Sequence, residues 1–111
     1  MSDKMYDLPE LNNDPDAPAE VIEKAAGVVL VAMDIDGVLT DGHTWQLDSG
    51  EQLLCFSVQD GVSLNLCRYV GVKLAVLSGR DLPAARIRME RFPIEEMRLG
   101  CLDKVTAMRE I

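Results

Sequence analysis

The sequence contains few of the residues that build zinc sites, disulfide frameworks or catalytic triads. It has one histidine, His43, and three cysteines, Cys55, Cys67 and Cys101. The cysteines are odd in number, lie far apart and form no Cys-x-x-Cys or Cys/His cluster, so they predict reduced thiols. Because His43 is accompanied by no serine or cysteine nucleophile signature, a catalytic triad is disfavoured.

Excess positive charge and long apolar segments are also missing. The formal net charge is -8 at pH 7, and most of the excess acid lies in residues 1–26. This balance argues against nucleic acid as a partner. No apolar run approaches the ~20 residues of a membrane span, and residues 1–27 lack the basic start and apolar centre of a signal peptide. We therefore expect a soluble, cytoplasmic protein with no membrane partner.

Composition divides the chain into a tail and a domain. Residues 1–18 are rich in proline, asparagine and aspartate. Such a segment cannot bury enough apolar surface to offset the entropy of ordering, so it predicts a mobile acidic tail. The remaining residues, 19–111, are enough for one small domain.

The first half of this domain has the patterns of a helix, a strand and a hairpin. The spacing of Val21, Ile22 and Ala25 predicts a short packing helix, and the apolar run that follows it predicts a buried strand. Two extended stretches flank the turn Asp48-Ser49-Gly50, in which glycine can adopt a left-handed conformation. These stretches predict a β-hairpin over residues 44–56.

In the second half, helices alternate with strands over 72–77 and 94–99. Asp60, Asp81 and Asp103 stand where N-caps of three helices are expected. The face that the first of these helices is predicted to bury consists of Val62, Leu66 and Val70. Alternating strands and helices imply parallel β-α-β units. The predicted fold class is therefore α/β, a three-layer Rossmann-like parallel sheet with a β-hairpin after the first strand.

Two carboxylates, Asp34 and Asp36, stand at the end of the first predicted strand in an Asp-x-Asp-Gly sequence. Open parallel sheets bind ligands outside the carboxyl ends of their strands. One carboxylate there can attack phosphorus to give an aspartyl-phosphate, and a second can protonate the leaving oxygen and then deprotonate water. Mg²⁺ suits such a pair because it takes oxygen ligands and bridges to phosphate.

Further polar residues follow the next two predicted strands. Ser78 and the backbone N–H groups after it, beginning at Gly79, can bind phosphate oxygens at a helix N-terminus, and Lys104 can add a positive charge. Taken singly, each of these residues would be a turn residue, a cap or a surface lysine. Their order at three successive strand ends, acid pair, hydroxyl and lysine, favours a phosphate site.

These motifs resemble those of the haloacid dehalogenase superfamily of phosphatases. The three matching motifs are Asp34-x-Asp36-Gly37, Ser78-Gly79 and Lys104. The longer signatures at 34–42, 56–61 and 78–80 are similar to the capless branch typified by 3-deoxy-D-manno-octulosonate 8-phosphate phosphatase. The similarity runs from about Ala19 to Ile111.

The resemblance implies a Mg²⁺-dependent phosphatase that hydrolyses this sugar-acid phosphate through an aspartyl-phosphate, in lipopolysaccharide precursor synthesis. It implies that Asp34 is the nucleophile and a metal ligand. Asp36 would be the acid/base and would offer its backbone carbonyl to the metal. The phosphate would be held by Ser78, Gly79 and Lys104. The implied substrate-binding residues are Asp36, Ser57, Val58, Gln59, Asp60, Gly61, Arg80 and Arg88. The hairpin 44–56 would join four subunits into a homotetramer.

The sequence departs from the family pattern in three places. Gln59 and Asn65 stand where the family usually has basic residues, so either the substrate differs or its affinity is reduced. The family's fourth motif, an acidic pair that completes the Mg²⁺ shell, has no counterpart before Ile111. We therefore expect a C-terminally incomplete domain, in which the strand before Asp34 is left at the edge of the sheet.

Two other classes of function stay open. In the first, the missing metal ligand makes the site catalytically inactive, and the truncated homologue acts as an oligomerising or interaction protein. A phosphate-receiver signalling domain also uses acids, a hydroxyl and a lysine at strand ends. It needs a phosphoacceptor aspartate on a further strand, whereas Asp48 and Asp60 are predicted in a loop and a cap.

Overall fold

The structure, a computed structural model, describes residues 16–111. The elements in chain order are α1 (Ala19–Ala26), β1 (Leu30–Met33), β2 (Thr40–Gln46), β3 (Gln52–Phe56), α2 (Val58–Val70), β4 (Lys73–Ser78), α3 (Pro83–Met89), β5 (Ile94–Leu99) and α4 (Lys104–Glu110). The predicted mobile tail, 1–18, lies outside the described residues except for 16–18. None of the helices within the described range has the length and apolar content that a membrane crossing requires.

A three-stranded parallel sheet in the order β1-β4-β5 forms the centre of the fold. The middle strand, β4, is buried from Leu74 to Ser78, as expected for a parallel strand covered on both faces. The predicted α/β class with a parallel sheet is confirmed. The prediction of a buried first strand is wrong for β1, because this strand is an edge of the sheet and its Val31 is 38% exposed. Its edge position agrees with the expectation of an incomplete sheet.

The predicted hairpin is formed by β2 and β3, which pair in antiparallel register with Thr44 opposite Leu54 and Gln46 opposite Gln52. Gly50 has a φ of 88° in the connecting turn, a conformation that glycine adopts without steric cost. β2 begins earlier than predicted, at Thr40, and the register shifts between Thr40 and Thr44.

The start of α2 differs from the prediction. Its N-cap is Ser57, whose Oγ accepts a hydrogen bond from the backbone N–H of Asp60 at 3.2 Å. Asp60 was predicted to be this cap but lies inside the first turn, so that prediction is wrong. The helix ends at Gly71, where φ is 74° and the left-handed conformation closes the helix.

The buried face of α2 also differs from the prediction. Gly61 and Leu64 are its buried residues. The predicted face is exposed, at 56% for Val62, 40% for Leu66 and 63% for Val70. Because the helix packs through Gly61 and Leu64, the apolar stripe that begins one residue later is turned toward solvent.

For the other three helices, the predicted cap of α4 is confirmed, whereas the predictions for α3 and α1 are wrong. In α4, Asp103 caps as predicted, since its Oδ1 accepts from the N–H of Thr106 at 3.0 Å. Asp81 does not cap α3, because its carboxylate pairs with Arg86 at 3.1 Å and the N-cap is Leu82. The prediction of α1 as a packing helix is wrong, since none of its residues is buried against the rest of residues 16–111.

The hydrophobic core joins the turn after β1 to α2, β4 and α3. Its buried members are Ile35, Leu39, Leu64, Leu74, Val76, Ala85 and Met89. The side chain of Ile35 lies in this core between the two candidate catalytic aspartates, so packing fixes the turn that carries them.

Met89→Ala should destabilise the fold by about 2–5 kcal/mol, because Met89 is 1% exposed and its removal leaves a cavity. Urea unfolding followed by circular dichroism measures the loss. The matched control is Ile87→Ala on the same helix, since Ile87 is 61% exposed and its loss should stay within about 0.5 kcal/mol. Equal losses in the two variants would contradict this core.

Candidate active site

The predicted site residues converge at one edge of the parallel sheet. Asp34 and Asp36 follow β1, Ser78 is the last residue of β4, and Lys104 begins α4 just after β5. Parallel strands bring their carboxyl ends to the same edge, so residues far apart in sequence meet there.

Asp34 is paired with Lys104. The Lys104 Nζ lies 3.3 Å from Asp34 Oδ2, while Asp34 Oδ1 accepts a hydrogen bond from the N–H of Ile35 at 2.7 Å. The two side chains are about 40% exposed, at 36% for Asp34 and 42% for Lys104, so a ligand can reach them. The cap at Asp103 precedes Lys104 directly and fixes where α4 begins.

The turn between β1 and β2 holds the acid pair in place. The carbonyl of Ile35 accepts backbone N–H bonds from Val38, Leu39 and Thr40. Gly37 has a φ of 76°, and its N–H donates to Thr40 Oγ1 at 3.1 Å. Because Ile35 is 1% exposed and Thr40 is 8% exposed, the turn is anchored at both of its ends.

Asp36 forms a two-point ion pair with Arg80. The Arg80 Nε donates to Asp36 Oδ2 at 3.0 Å, and Nη2 donates to Oδ1 at 2.5 Å. The hydrogen bond from Arg80 holds the pKa of Asp36 below its usual value, with a further contribution from the charge of Lys104. Asp36 is therefore ionised in this conformation.

Arg80 also reaches the hairpin. Its Nη2 lies 3.3 Å from Thr44 Oγ1, and its Nη1 lies 3.3 Å from Gln52 Oε1. The guanidinium thus contacts the acidic turn and both hairpin strands. Sequence reasoning missed Thr44 and Gln52. Both side chains lie on one face of the hairpin, and this can be deduced only once the register of β2 against β3 is known.

The Ser78-Gly79 segment has the position expected of a phosphate-binding turn. Ser78 is 1% exposed, and its Oγ accepts a hydrogen bond from the N–H of Arg80 at 3.3 Å. The Ser78 carbonyl accepts from the N–H of Cys101 at 2.8 Å, which ties this turn to the end of β5. Gly79 is exposed. Phosphate binding by Ser78 and Gly79 stays a prediction.

The predicted substrate residues around α2 form a second group. The guanidinium of Arg88 lies over the Phe92 ring at 5.0 Å and near the Phe56 ring at 5.8 Å. A Cβ added to Gly61 would lie 3.1 Å from Arg88 Nη2, so a residue without a side chain permits this approach. Within residues 16–111, Arg88 Nε is buried without a hydrogen-bond partner.

The other residues of this group occupy the start of α2. Ser57 is the cap, Asp60 lines a pocket with Arg88, and Val58 and Gln59 are exposed. No hydrogen bond or ion pair of the described residues links this group to the acid pair. The site therefore has two parts, and the substrate role of the second part stays a prediction.

Two carboxylates are available as metal ligands at the strand ends. In the part of the chain that the structure describes, no group of three or more His, Cys, Asp or Glu side chains could hold a metal ion. Mg²⁺ usually keeps several waters and binds through one or two carboxylates together with substrate phosphate. The oxygens of Asp34 and the Asp36 carbonyl fit that pattern, although the Asp36 side chain is engaged by Arg80.

Comparisons with known proteins point to one family. The chain is 39% identical to the 3-deoxy-D-manno-octulosonate 8-phosphate phosphatase of Haemophilus influenzae over 77% of this chain and 47% of that protein. A solved phosphatase of the same name, from Moraxella catarrhalis with magnesium, phosphate and KDO bound, gives a TM-score of 0.78 at 33% identity over 85% of this chain and 54% of that one. A hydrolase from Legionella pneumophila, described as a member of the haloacid dehalogenase (HAD) superfamily, gives a TM-score of 0.75 at 33% identity over 79% of this chain and 48% of that one.

The chain belongs to the haloacid dehalogenase superfamily. No protein-family model matches the chain. The chain spans about half the length of the curated relatives it matches, which agrees with the expectation of an incomplete haloacid dehalogenase domain. The resemblance inferred from Asp34-x-Asp36-Gly37 is thus confirmed at the level of the superfamily.

The Asp36–Arg80 pair gives this haloacid dehalogenase domain a pH-dependent stability. The pKa of Asp36 is lower in the folded state than its unfolded value of 3.8, so the pair stabilises the fold fully when the pH is above 3.8. This contribution is lost as the pH falls through the folded-state pKa. Asp36→Asn should cost about 1 kcal/mol or less at pH 7, because both side chains are partly exposed. The difference from wild type should vanish near pH 2.

Urea unfolding of both proteins between pH 7 and pH 2 measures this difference. Asp48→Asn is the matched control, because Asp48 lies in the exposed hairpin loop and makes no hydrogen bond or ion pair with the described residues. A difference between Asp36→Asn and wild type that is equally large at both ends of the pH range would rule out the pair as its source.

Proposed function

We propose that the chain forms part of a Mg²⁺-dependent phosphatase that hydrolyses 3-deoxy-D-manno-octulosonate 8-phosphate to the sugar acid and phosphate. The observation that carries the proposal is the 3.3 Å contact between Lys104 Nζ and Asp34 Oδ2, next to the second aspartate and the end of β4. It joins an anionic nucleophile to a cation that can bind the transferred phosphoryl group. The choice of this substrate rests on the related phosphatases, whose names contain it.

The residues of this chain have separate roles in the proposed reaction. Asp34 attacks phosphorus through one carboxylate oxygen, and the bond between phosphorus and the sugar oxygen breaks. Asp36, which Arg80 holds ionised in this conformation, must first take up a proton; it then gives that proton to the leaving oxygen and later takes one from the water that attacks the aspartyl-phosphate. Lys104, Ser78 and the N–H after it hold the phosphoryl oxygens. Mg²⁺, held by Asp34 and the Asp36 carbonyl, would neutralise phosphate charge when bound.

The second group of residues is proposed to bind the sugar acid. Arg88 supplies a cation beside the cap of α2, and together with Ser57, Asp60 and Gly61 it borders a water-sized cavity of about 10 Å³. Gln59 carries no charge where the family usually has arginine, so the sugar carboxylate would be held with lower affinity. Asn65 is engaged locally, since its Oδ1 accepts from Arg68 Nη2 at 3.0 Å.

Asp34→Asn should lower phosphate release from 3-deoxy-D-manno-octulosonate 8-phosphate by at least about a thousandfold, because it removes the nucleophile. Steady-state phosphate assays measure the loss with Mg²⁺ and after its removal with a chelator, which should also abolish release. Asp41→Asn is the matched control, since Asp41 lies on the exposed hairpin and, among the described residues, its carboxylate contacts His43 through the backbone N–H at 3.0 Å and the ring Nδ1 at 3.7 Å.

Four outcomes would contradict parts of this proposal. Equal release by Asp34→Asn, or release that needs no divalent metal, would exclude the mechanism. Equal hydrolysis of a sugar phosphate without a carboxylate would exclude the sugar-acid substrate. No release by the wild-type chain would favour the second candidate, an inactive homologue that acts through interactions. That candidate is supported by the lack of a third acidic ligand within residues 16–111.

We also propose that four copies assemble through the hairpin. The hairpin exposes large apolar side chains, with Trp45 on β2 at 72%, Leu53 on β3 at 49% and Leu47 in the connecting loop at 47%. Exposed apolar clusters of this kind are typical of protein interfaces.

Cytoplasmic location and a role in lipopolysaccharide precursor synthesis stay predictions.

Trp45→Ser should reduce the assembly to smaller species, because it removes the largest exposed apolar side chain of the hairpin. Sedimentation velocity of wild type and variant measures the mass. Val105→Ser on α4 is the control, since Val105 is 63% exposed and lies outside the hairpin. A monomeric wild type would contradict assembly through this surface.

A further inference from the structure

Arg88 is a partly buried cation that pairs with no anion among the described residues. Its Nε is buried and has no hydrogen-bond partner there. The carboxylate of Asp60 borders the same small cavity, yet no ion pair joins the two described side chains. The side chains of Arg80, Arg86 and Arg98, in contrast, each pair with a carboxylate. An unpaired charge is costly to bury, so other contacts must stabilise the guanidinium of Arg88.

Two aromatic rings supply those contacts. The Arg88 Cζ lies 5.0 Å from the centre of the Phe92 ring and 5.8 Å from the centre of the Phe56 ring. A cation within about 6 Å of a ring centre is attracted to the ring face, more strongly where water is excluded. Both rings pack against the hydrophobic core, and the N–H of Phe92 donates to the carbonyl of the buried Met89 at 3.1 Å. The core therefore fixes the rings, and the rings hold the guanidinium.

Gly61 leaves the space that the guanidinium occupies. A Cβ built on Gly61 would lie 3.1 Å from Arg88 Nη2 and 3.2 Å from two atoms of the Phe92 ring. Ordinary contacts between carbon atoms begin at about 3.5 Å, so an alanine at this position would displace the arginine or the ring. The first turn of α2, the end of β3 and the segment after α3 thus border the Arg88 side chain together.

This arrangement leaves part of the guanidinium open to an anion. Of the Arg88 nitrogens, only Nε is buried without a partner, so Nη1 and Nη2 are accessible to a ligand. Two nitrogens in one plane match the two oxygens of a carboxylate. The N-terminus of α2, which carries a partial positive charge, lies beside them at Gly61 and favours an anion at the same place.

We propose that Phe92 is a positioning residue, which together with Phe56 holds the Arg88 guanidinium so that its Nη groups meet the carboxylate of the substrate. The proposal rests on the proposed phosphatase function. It gives Phe92, which no motif of the sequence marks, an effect on substrate affinity although its ring acts through Arg88. Because this contact would hold the carboxylate equally before and during phosphoryl transfer, its loss should raise KM and leave kcat unchanged.

Substitution of Phe92 in the full chain tests this role. Phe92→Leu keeps an apolar side chain but removes the ring, so KM for 3-deoxy-D-manno-octulosonate 8-phosphate should rise by at least about threefold with kcat unchanged. Phe92→Tyr keeps the ring and should retain the wild-type KM. For a sugar phosphate without a carboxylate, all three proteins should have the same KM. A rise in KM for both substrates would show a merely structural role and overturn the proposal.

Three further variants show whether the effect acts through Arg88. In an Arg88→Met background, Phe92→Leu should not raise KM further, since residues that act through one another are not additive, and multiplying effects would overturn the proposal. Gly61→Ala should raise KM as Phe92→Leu does, and alanine favours the helix, so that poor folding is not the cause. Arg91→Met is the matched control, because it removes a like charge from an exposed position that contacts neither ring.

A second readout does not depend on activity. Aromatic rings shift the NMR signals of nearby protons, so the Arg88 Nε–H signal in a ¹⁵N spectrum should move in Phe92→Leu and in Gly61→Ala but not in Arg91→Met. An unchanged signal in Phe92→Leu would overturn the proposal even if the enzyme is active.

Binding of the free sugar acid separates this proposal from the phosphatase function. Calorimetry with 3-deoxy-D-manno-octulosonate should show binding to wild type that is weaker by at least about threefold in Phe92→Leu. Equal binding by the two proteins, or none by wild type, would overturn the proposal. If the wild-type chain binds the sugar acid but releases no phosphate, the phosphatase function fails while the positioning role of Phe92 stands.

Discussion

Burial of Ile35 is the constraint on which the site depends. Its side chain is 1% exposed in the core, its carbonyl accepts the hydrogen bonds of the following turn, and its neighbours on both sides are the acids. The side chains of both acids stay about one third exposed, at 36% for Asp34 and 34% for Asp36. Apolar packing of one side chain therefore anchors the turn while both carboxylates stay open to a ligand.

The two acids are held by cations from different parts of the fold. Asp34 meets Lys104 from the start of α4, whereas Asp36 meets Arg80 from the loop after β4. Each carboxylate thus contacts a cation of its own, and the charge of Lys104 also lowers the pKa of Asp36. Two cations therefore offset the two negative charges that follow β1.

Much of this arrangement could be predicted because the decisive signals are local. Asp34, Ser78 and Lys104 each follow a strand whose end is marked in the sequence, and parallel strands bring those ends together. The start of α2 could not be predicted reliably, because Ser57 and Asp60 are both good caps and only packing selects between them. The Arg80 contacts depend on hairpin register and side-chain direction, which no local pattern encodes.

The order of strands in the sheet also makes the site depend on a long-range pairing. Leu30 pairs with Lys73, whereas Leu74 pairs with Ile94, so the β1–β4 pairing closes the longer segment of chain. That segment contains the hairpin and α2, which are built from local contacts that form faster. The β1–β4 pairing therefore has the larger loop-closure entropy to overcome. The acidic turn that follows β1 thus depends on the entropically costlier of the two strand pairings in the sheet.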